Sequence, residues 1–251
     1  MFDYIDIHAH LNDSDFDSDR DEVIDRMKEN KIGAINVGTN ITTSKEVVEL
    51  ASLHDNLWAI VGVHPHEPDE NFETLAELGR QEKVVAIGEC GLDYSRIGVE
   101  DKEIKKQQQE LFAKQIELAL TLSKPLMLHV RDSYQEVLDI LKSYPKARAH
   151  VHFFAGDWAM AKKFLDRGDS LSFTGVITFT KQYDEVVKNM PLDRLLAETD
   201  CPYVAPIPYR GKRNEPTYVV NVVKKIAAIR GEGEKLIREA LVSNAKQVFR
   251  L

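Results

Sequence analysis

Tyr4-Ile5-Asp6-Ile7-His8-Ala9-His10 decides the reading of this chain. The run begins as an apolar, β-branched strand and ends in two imidazoles spaced two residues apart. Residues two apart in a strand point to one side, so His8 and His10 face one direction at the end of the first element. Parity sets Asp6 on that face and Ile5, Ile7 and Ala9 on the other. Four later strand-like segments also end in a histidine or a carboxylate, namely Glu89, His129, His152 and Asp200. By the same alternation Val85 and Ile87 align with Glu89, Met127 and Arg131 with His129, His150 with His152, and Leu196 and Glu198 with Asp200.

Working outward, apolar runs at 4–8, 34–38, 57–63, 84–89, 125–130, 148–153, 169–174 and 195–199 read as strands. Helical patterns near 17–30, 43–54, 72–82, 103–122, 133–143, 157–167, 181–189 and 216–229 alternate with them, and a last one near 233–249 closes the chain. The clearest carries Leu111, Phe112, Ile116, Leu118, Ala119 and Leu122 at helical spacing, with Gln and Lys filling the remainder. Eight strand–helix units in 251 residues match an α/β protein of the (β/α)8, or TIM barrel, type. A doubly wound open sheet is the runner-up; it would use fewer strands and one switch point. With no Gly/Ser linker or low-complexity stretch, residues 1–251 read as a single domain. Sites on such barrels occupy the C-terminal ends of the strands, where every one of these histidines and carboxylates falls.

The composition, 43% hydrophobic and 29% charged, is that of an ordinary globular chain. A net charge of −8 argues against non-specific coating of nucleic acid or anionic membrane, while leaving room for a local basic patch. Cys90 and Cys201 cannot build a disulfide scaffold; each follows a candidate ligand and faces away from it. Asp3 and Asp6 interrupt the first apolar run, and no run approaches the ~20 apolar residues of a membrane span. The expectation is a reduced, cytoplasmic compartment, with no membrane and no protein partner.

Four imidazoles and two carboxylates are too many for one four-coordinate ion with an open position. They suit two divalent ions, one on His8, His10 and Asp200, the other on His129 and His152, with Glu89 bridging. Zn, Mn, Co and Ni fit such mixed ligands, and Mg less comfortably. The ions outweigh the two carboxylates in charge, which favours an anionic substrate and a deprotonated bridging water. A lone histidine at a strand end is more often a hydrogen-bonded structural residue, and His54 and His150 fall in that class. Glu89 or Asp200 taken singly could cap a helix or join an ion pair; the matched strand ends favour the metal reading.

Around this set, His64 follows the third strand and reads as a wall of the cavity and a substrate contact. Tyr94, opening the loop after the fourth strand, could stack on a base or simply pack the loop. Asp6, Arg131 and Glu198 are expected just behind the ligands, with Glu198 a possible buried partner of Arg131. Arg210, Lys212 and Arg213 form the densest basic cluster, in a loop stiffened by Pro202, Pro206, Pro208 and Pro216. At the rim of the site they would neutralise backbone phosphates; away from it they would be an ordinary solvated loop.

The chain resembles the TatD family of metal-dependent hydrolases, within the amidohydrolase-like barrels. The likeness rests on Asp6-Ile7-His8-Ala9-His10-Leu11, Gly62-Val63-His64-Pro65-His66, Gly88-Glu89-Cys90-Gly91-Leu92-Asp93-Tyr94, Leu128-His129-Val130-Arg131, His152-Phe153-Phe154-Ala155-Gly156, Glu198-Thr199-Asp200-Cys201-Pro202-Tyr203 and Arg210-Gly211-Lys212-Arg213-Asn214-Glu215-Pro216. The resemblance implies a (β/α)8 fold, divalent metals and hydrolysis of phosphodiesters in DNA. It also implies that His8, His10, Glu89, His129, His152 and Asp200 are the metal ligands. Phe153-Phe154-Ala155 departs from the family, which more often has a small residue, then Phe, then a hydroxyl residue. The expected function is a deoxyribonuclease of the 3′-5′ exonuclease type acting on single-stranded ends. Asp200 and Glu89 are its catalytic carboxylates, and Asp200 takes the proton of the attacking water. The alternatives are hydrolysis of an amide, ester or lactone by the same centre, and a non-catalytic metal-binding protein; the complete ligand set speaks against the latter.

Overall fold

The computed structural model describes residues 2–67, 71–98 and 100–251. Eight strands run in chain order around one sheet: β1 (Tyr4–Ala9), β2 (Ile32–Val37), β3 (Leu57–Val61), β4 (Val84–Asp93), β5 (Leu126–Arg131), β6 (Ala149–Val151), β7 (Ser170–Phe173) and β8 (Leu195–Ala197). Each pairs parallel with the next. The sheet closes where the Asp200 amide donates to the His8 carbonyl and the His10 amide to the Cys201 carbonyl, both at 2.9 Å. That closure gives the (β/α)8 barrel and removes the open-sheet alternative.

The connecting helices are α1 (Arg20–Glu29), α2 (Ile41–Leu53), α3 (Phe72–Gly79), α4 (Lys102–Leu122), α5 (Tyr134–Lys142), α6 (Trp158–Asp166), α7 (Asp184–Asn189) and α8 (Val219–Arg230), followed by α9 (Glu234–Phe249). Side-chain caps set several starts. Asn40 and Thr43 form a reciprocal capping box on α2, Asn71 caps α3 and Asp157 caps α6. Among the described residues no helix is long and apolar enough to cross a membrane.

Two apolar layers result. The larger lies between strands and helices and takes Leu111, Phe112, Ile116 and Ala119 from α4. The smaller fills the barrel with Ile5, Ile7, Ile35, Val37, Ile60, Val85, Met127 and Leu196, and α9 closes it with Ala245 and Phe249. The floor under the strand ends is therefore dry and close-packed, and polar groups there must find protein partners. His150 does so, between the hydroxyls of Ser170 and Ser172 at 2.8 and 2.7 Å.

Two glutamines of α4 do not belong to its solvated face. Gln108 and Gln115, two turns apart, are both buried. Gln115 pairs with the backbone N–H and C=O of Val63, each at 2.8 Å. Gln108 does the same for Asp93, at 3.0 and 3.2 Å. Each satisfies main-chain groups that no strand partner reaches, fixing the segments that carry His64 and Asp93.

Candidate metal centre

Strict alternation does not deliver all the ligands; two bulges do. In β1, Asp6 lies opposite Ala34 and Ala9 opposite Asn36, so β1 spends one more residue than β2. Ile7 stays in the barrel core, His8 and His10 reach the mouth, and Asp6 turns to the seam. There its carboxylate accepts from the Thr199 amide at 2.8 Å and the His8 amide at 3.2 Å. Asp6 thus supports His8 through the backbone and does not share its face. Burial raises the Asp6 pKa to about 7, against the pull of the Thr199 and His8 hydrogen bonds. In β4 the register shifts between Ile87 and Cys90. Ile87 packs on the helix side while Val85 faces the barrel core, so Ile87 is not aligned with Glu89 as parity required. Gly88 permits the shift: a Cβ there would lie 2.5 Å from the Met127 carbonyl oxygen. His152, Glu198 and Asp200 lie just past the ends of the short strands β6 and β8.

The six side chains converge at the mouth. His8 Nε2 and His10 Nε2 are 3.2 Å apart. Asp200 Oδ1 lies 3.8 and 3.6 Å from them, and Glu89 Oε2 lies 3.5 and 3.9 Å from them. The other oxygen of Glu89, Oε1, faces a second group: His129 Nδ1 at 2.7 Å and His152 Nε2 at 2.9 Å, themselves 3.3 Å apart. Four ligands at about 2.0–2.1 Å from one ion stand about 3.3–3.4 Å from one another. The first group matches that spacing and the second is slightly tighter, so both sets of nitrogen and oxygen donors fit a divalent cation.

A further ring of groups orients these donors. His10 Nδ1 lies 2.9 Å from the Val37 carbonyl, and His129 Nε2 lies 3.1 Å from Asp93 Oδ2, which leaves the other nitrogen of each ring for the centre. Asp93 also meets His66 Nε2 at 3.1 Å. His8 and His152 stack directly on one another, and Glu198 lies beside the pair, 4.0 and 3.8 Å from their Nδ1 atoms. Both Nδ1 atoms and Glu198 Oε2 are buried without a hydrogen-bond partner. Glu198 accepts from the Phe153 amide and has no contact with Arg131.

Charge is polarised within the cluster. Burial alone would keep His10 and His129 neutral. Asp200 and Glu89 outweigh it at His10, as Asp93 and Glu89 do at His129, and both pKa values rise to about 9. His8 and His64 are lowered to about 4, chiefly by burial. Burial opposes ionisation of Glu89, yet His152, His129 and His8 hold its carboxyl well below the usual range. Glu198 is pushed well above that range by burial and by Asp200.

The centre opens into a cleft of about 990 Å³ lined by His10, His64, Glu89, His129, His152 and Asp200. His64 lies in its wall, 3.9 Å from Glu89 Oε1. Arg131 lies in its lining, exposed. Tyr94 does not: it is 8% exposed, packed in the helix-side core, and its hydroxyl accepts from Gln109. Burial against α4 removes it as a base platform. Arg213 is also taken up elsewhere, by a two-pronged contact with Asp19 at 2.7 Å and by the Phe16 ring. Arg210 stacks on Phe179 at 3.6 Å and stays exposed, as does Lys212; neither lines the cleft. The sequence reading missed Tyr203, Phe153, Tyr183 and the carboxylates of Asp13, Glu46 and Glu67, all of which line it. Only their place on βα loops, or for Glu46 early in α2, could have signalled them. Cys90 and Cys201 are buried free thiols on the helix side.

A TIM barrel carrying an imidazole–carboxylate cluster at the C-terminal mouth defines the class: a barrel with a candidate metal centre. Residues 5–250 match the TatD related DNase family, and the chain belongs to that family of metal-dependent hydrolases. It is 40% identical to the uncharacterized metal-dependent hydrolase YabD of Bacillus subtilis, over 98% of each chain. It is 38% identical to the 3′-5′ ssDNA/RNA exonuclease TatD of Erwinia tasmaniensis, over 98% of this chain and 99% of that one. Among solved structures, the TatD homologue YJJV of Escherichia coli superposes with a TM-score of 0.88 at 28% identity, covering 99% of this chain and 98% of that one.

Proposed function

We propose that this protein is a two-metal phosphodiesterase that removes nucleotides from single-stranded nucleic-acid ends. The observation that carries the reading is Glu89, whose two oxygens face two separate donor groups, His8/His10 and His129/His152. Asp200 completes the first group. Bound divalent ions would supply a water of lowered pKa and would polarise the phosphate. Asp200, at the open edge of its group, accepts the proton of that water; His64 closes the wall beside Glu89 and helps exclude bulk water. The relative named as an ssDNA/RNA exonuclease supports the substrate class. The test is a panel of Zn, Mn, Co, Ni and Mg against single- and double-stranded DNA, RNA, esters and lactones. Hydrolysis of single strands above all others is expected; turnover confined to esters or lactones would overturn the reading.

One observation favours that second reading, amide, ester or lactone hydrolysis. Among the described residues Arg131 is the only lysine or arginine lining the cleft, which also holds Asp13, Glu46 and Glu67. Such a lining suits few phosphates at a time, and so either a small ester or the last nucleotides of a strand.

Two consequences follow for residues around the centre. Asp93→Asn removes the carboxylate behind His129 and is expected to weaken metal affinity by about 10–100-fold. A competitive chelator titration reads this, and unchanged affinity would leave Asp93 a purely structural residue at the end of β4. Arg213→Ala is expected to cost about 1 kcal/mol of stability, from a partly exposed ion pair and a ring contact, seen as a lower urea midpoint. It should leave the salt dependence of oligonucleotide binding unchanged, whereas a true phosphate contact would flatten the log–log slope by about one unit. Among the described residues Arg210 and Lys212 pair with no carboxylate, which leaves them free for a strand that extends beyond the cleft.

A further inference from the structure

Arg131 and Phe153 follow His129 and His152 by two residues and one residue, on neighbouring strand ends. Both line the cleft, beside the second group of donors. Among the described residues the Arg131 guanidinium makes no hydrogen bond or ion pair, although the same cleft holds several carboxylates. Phe153 is stranger. Since His152 points inward, alternation would turn Phe153 toward the helices. Instead its φ is +44°, a left-handed conformation that a bulky side chain rarely adopts. Its amide donates to Glu198, and the next amide, that of Phe154, donates to the Ser172 carbonyl. The turn sends the Phe154 ring into the core, where it is fully buried, and leaves the Phe153 ring half-buried at the cleft. An aromatic ring held at a polar cleft in a costly backbone conformation contributes little to the core; a strained residue beside a reactive centre is a candidate for a functional role.

We propose that Arg131 and Phe153 form a nucleotide subsite on the His129–His152 side of the centre, the guanidinium taking a phosphate and the ring stacking on the base. The substrate class rests on the nucleic-acid reading above. A planar guanidinium matches two phosphate oxygens at once. An aromatic face accepts any base, so the subsite recognises a nucleotide without reading sequence. It grips one residue of the strand, in keeping with a cleft that offers a single arginine.

The experiment is calorimetric titration of the metal-loaded protein with deoxyadenosine 5′-monophosphate and with 2-deoxyribose 5-phosphate, which lacks the base. The wild type is expected to bind the nucleotide about 5- to 150-fold more tightly, the usual range for one base–aromatic stack. Phe153→Leu should erase that ratio, and Phe153→Tyr should keep it. Phe153→Met, with similar bulk and no aromatic face, repeats the loss independently of packing. Arg131→Ala should weaken both ligands by a similar factor of about ten, with Arg131→Lys between. An unchanged ratio in Phe153→Leu and Phe153→Met, or unchanged sugar-phosphate affinity in Arg131→Ala, would overturn the subsite. The substrate panel separates the two ideas. A wild type that cleaves single strands while Phe153→Leu keeps the ratio retains the nuclease and loses the subsite. The expected binding pattern in a protein that cleaves no oligonucleotide supports the subsite and removes the nuclease.

Discussion

Asp200→Asn lowers turnover by about 10²–10⁴ at saturating metal and substrate, the usual worth of general-base assistance, while the protein stays folded. The amide keeps the shape of the side chain but cannot accept a proton from water. The fold should tolerate it for two reasons. The structural contact of residue 200 is its backbone amide to the His8 carbonyl, which the substitution retains. Its φ of +56° is a left-handed conformation that asparagine adopts readily. Losing a negative charge 3.6–3.8 Å from His10 and His8 should also weaken metal binding, so the comparison is made with metal occupancy confirmed by elemental analysis. Near-wild-type turnover by a folded, fully metallated Asp200→Asn protein would move the proton acceptor to His64 or Glu198.

On the proposed two-metal reading, Glu89→Gln is expected to reduce the bound metal from two ions per chain to one and to lower turnover by more than the about 10–100-fold that a change behind a ligand costs. Glu89 turns one oxygen to the His8/His10 nitrogens and the other to the His129/His152 nitrogens. A glutamine offers one carbonyl oxygen and one NH2, and the NH2 cannot bind a cation, so only one group can be served. Elemental analysis at saturating metal, together with anomalous scattering, reads the stoichiometry. Two ions retained with ordinary turnover would end the bridging role of Glu89. One ion at saturation in the wild type would end the two-metal reading itself.

The candidate ligand residues stood out in the sequence because each ends an apolar run, and runs of period two separated by helical spacing are local signals. The arrangement was less visible. Alternation placed Ile87 beside Glu89 and Asp6 beside His8; the bulges in β1 and β4 changed both. A bulge depends on the register of a neighbouring strand, which no single run encodes. The Tyr94 reading failed for the same reason, which also hid the roles of Gln108 and Gln115. Whether a loop tyrosine faces a cleft or a helix, and whether a glutamine is solvated or caps a distant backbone, depends on partners remote in sequence. For Gln115 and Val63 that distance is 52 residues.

The sequence alone therefore determined the number and order of the strands, the barrel, the family likeness and the residue types proposed as ligands. All of these follow from local periodicity and from motifs a few residues long. Only the tertiary structure decided that Glu89 turns one oxygen to each donor group, that Asp93 and Glu198 stand behind the imidazoles, and that Phe153 faces the cleft while Arg213 is spent on Asp19. Arg213 and Asp19 lie 194 residues apart, and the charge of an arginine is written in the chain while its partner is not. Such pairings arise when closure of the barrel brings remote segments within hydrogen-bonding distance and burial compels their polar groups to pair.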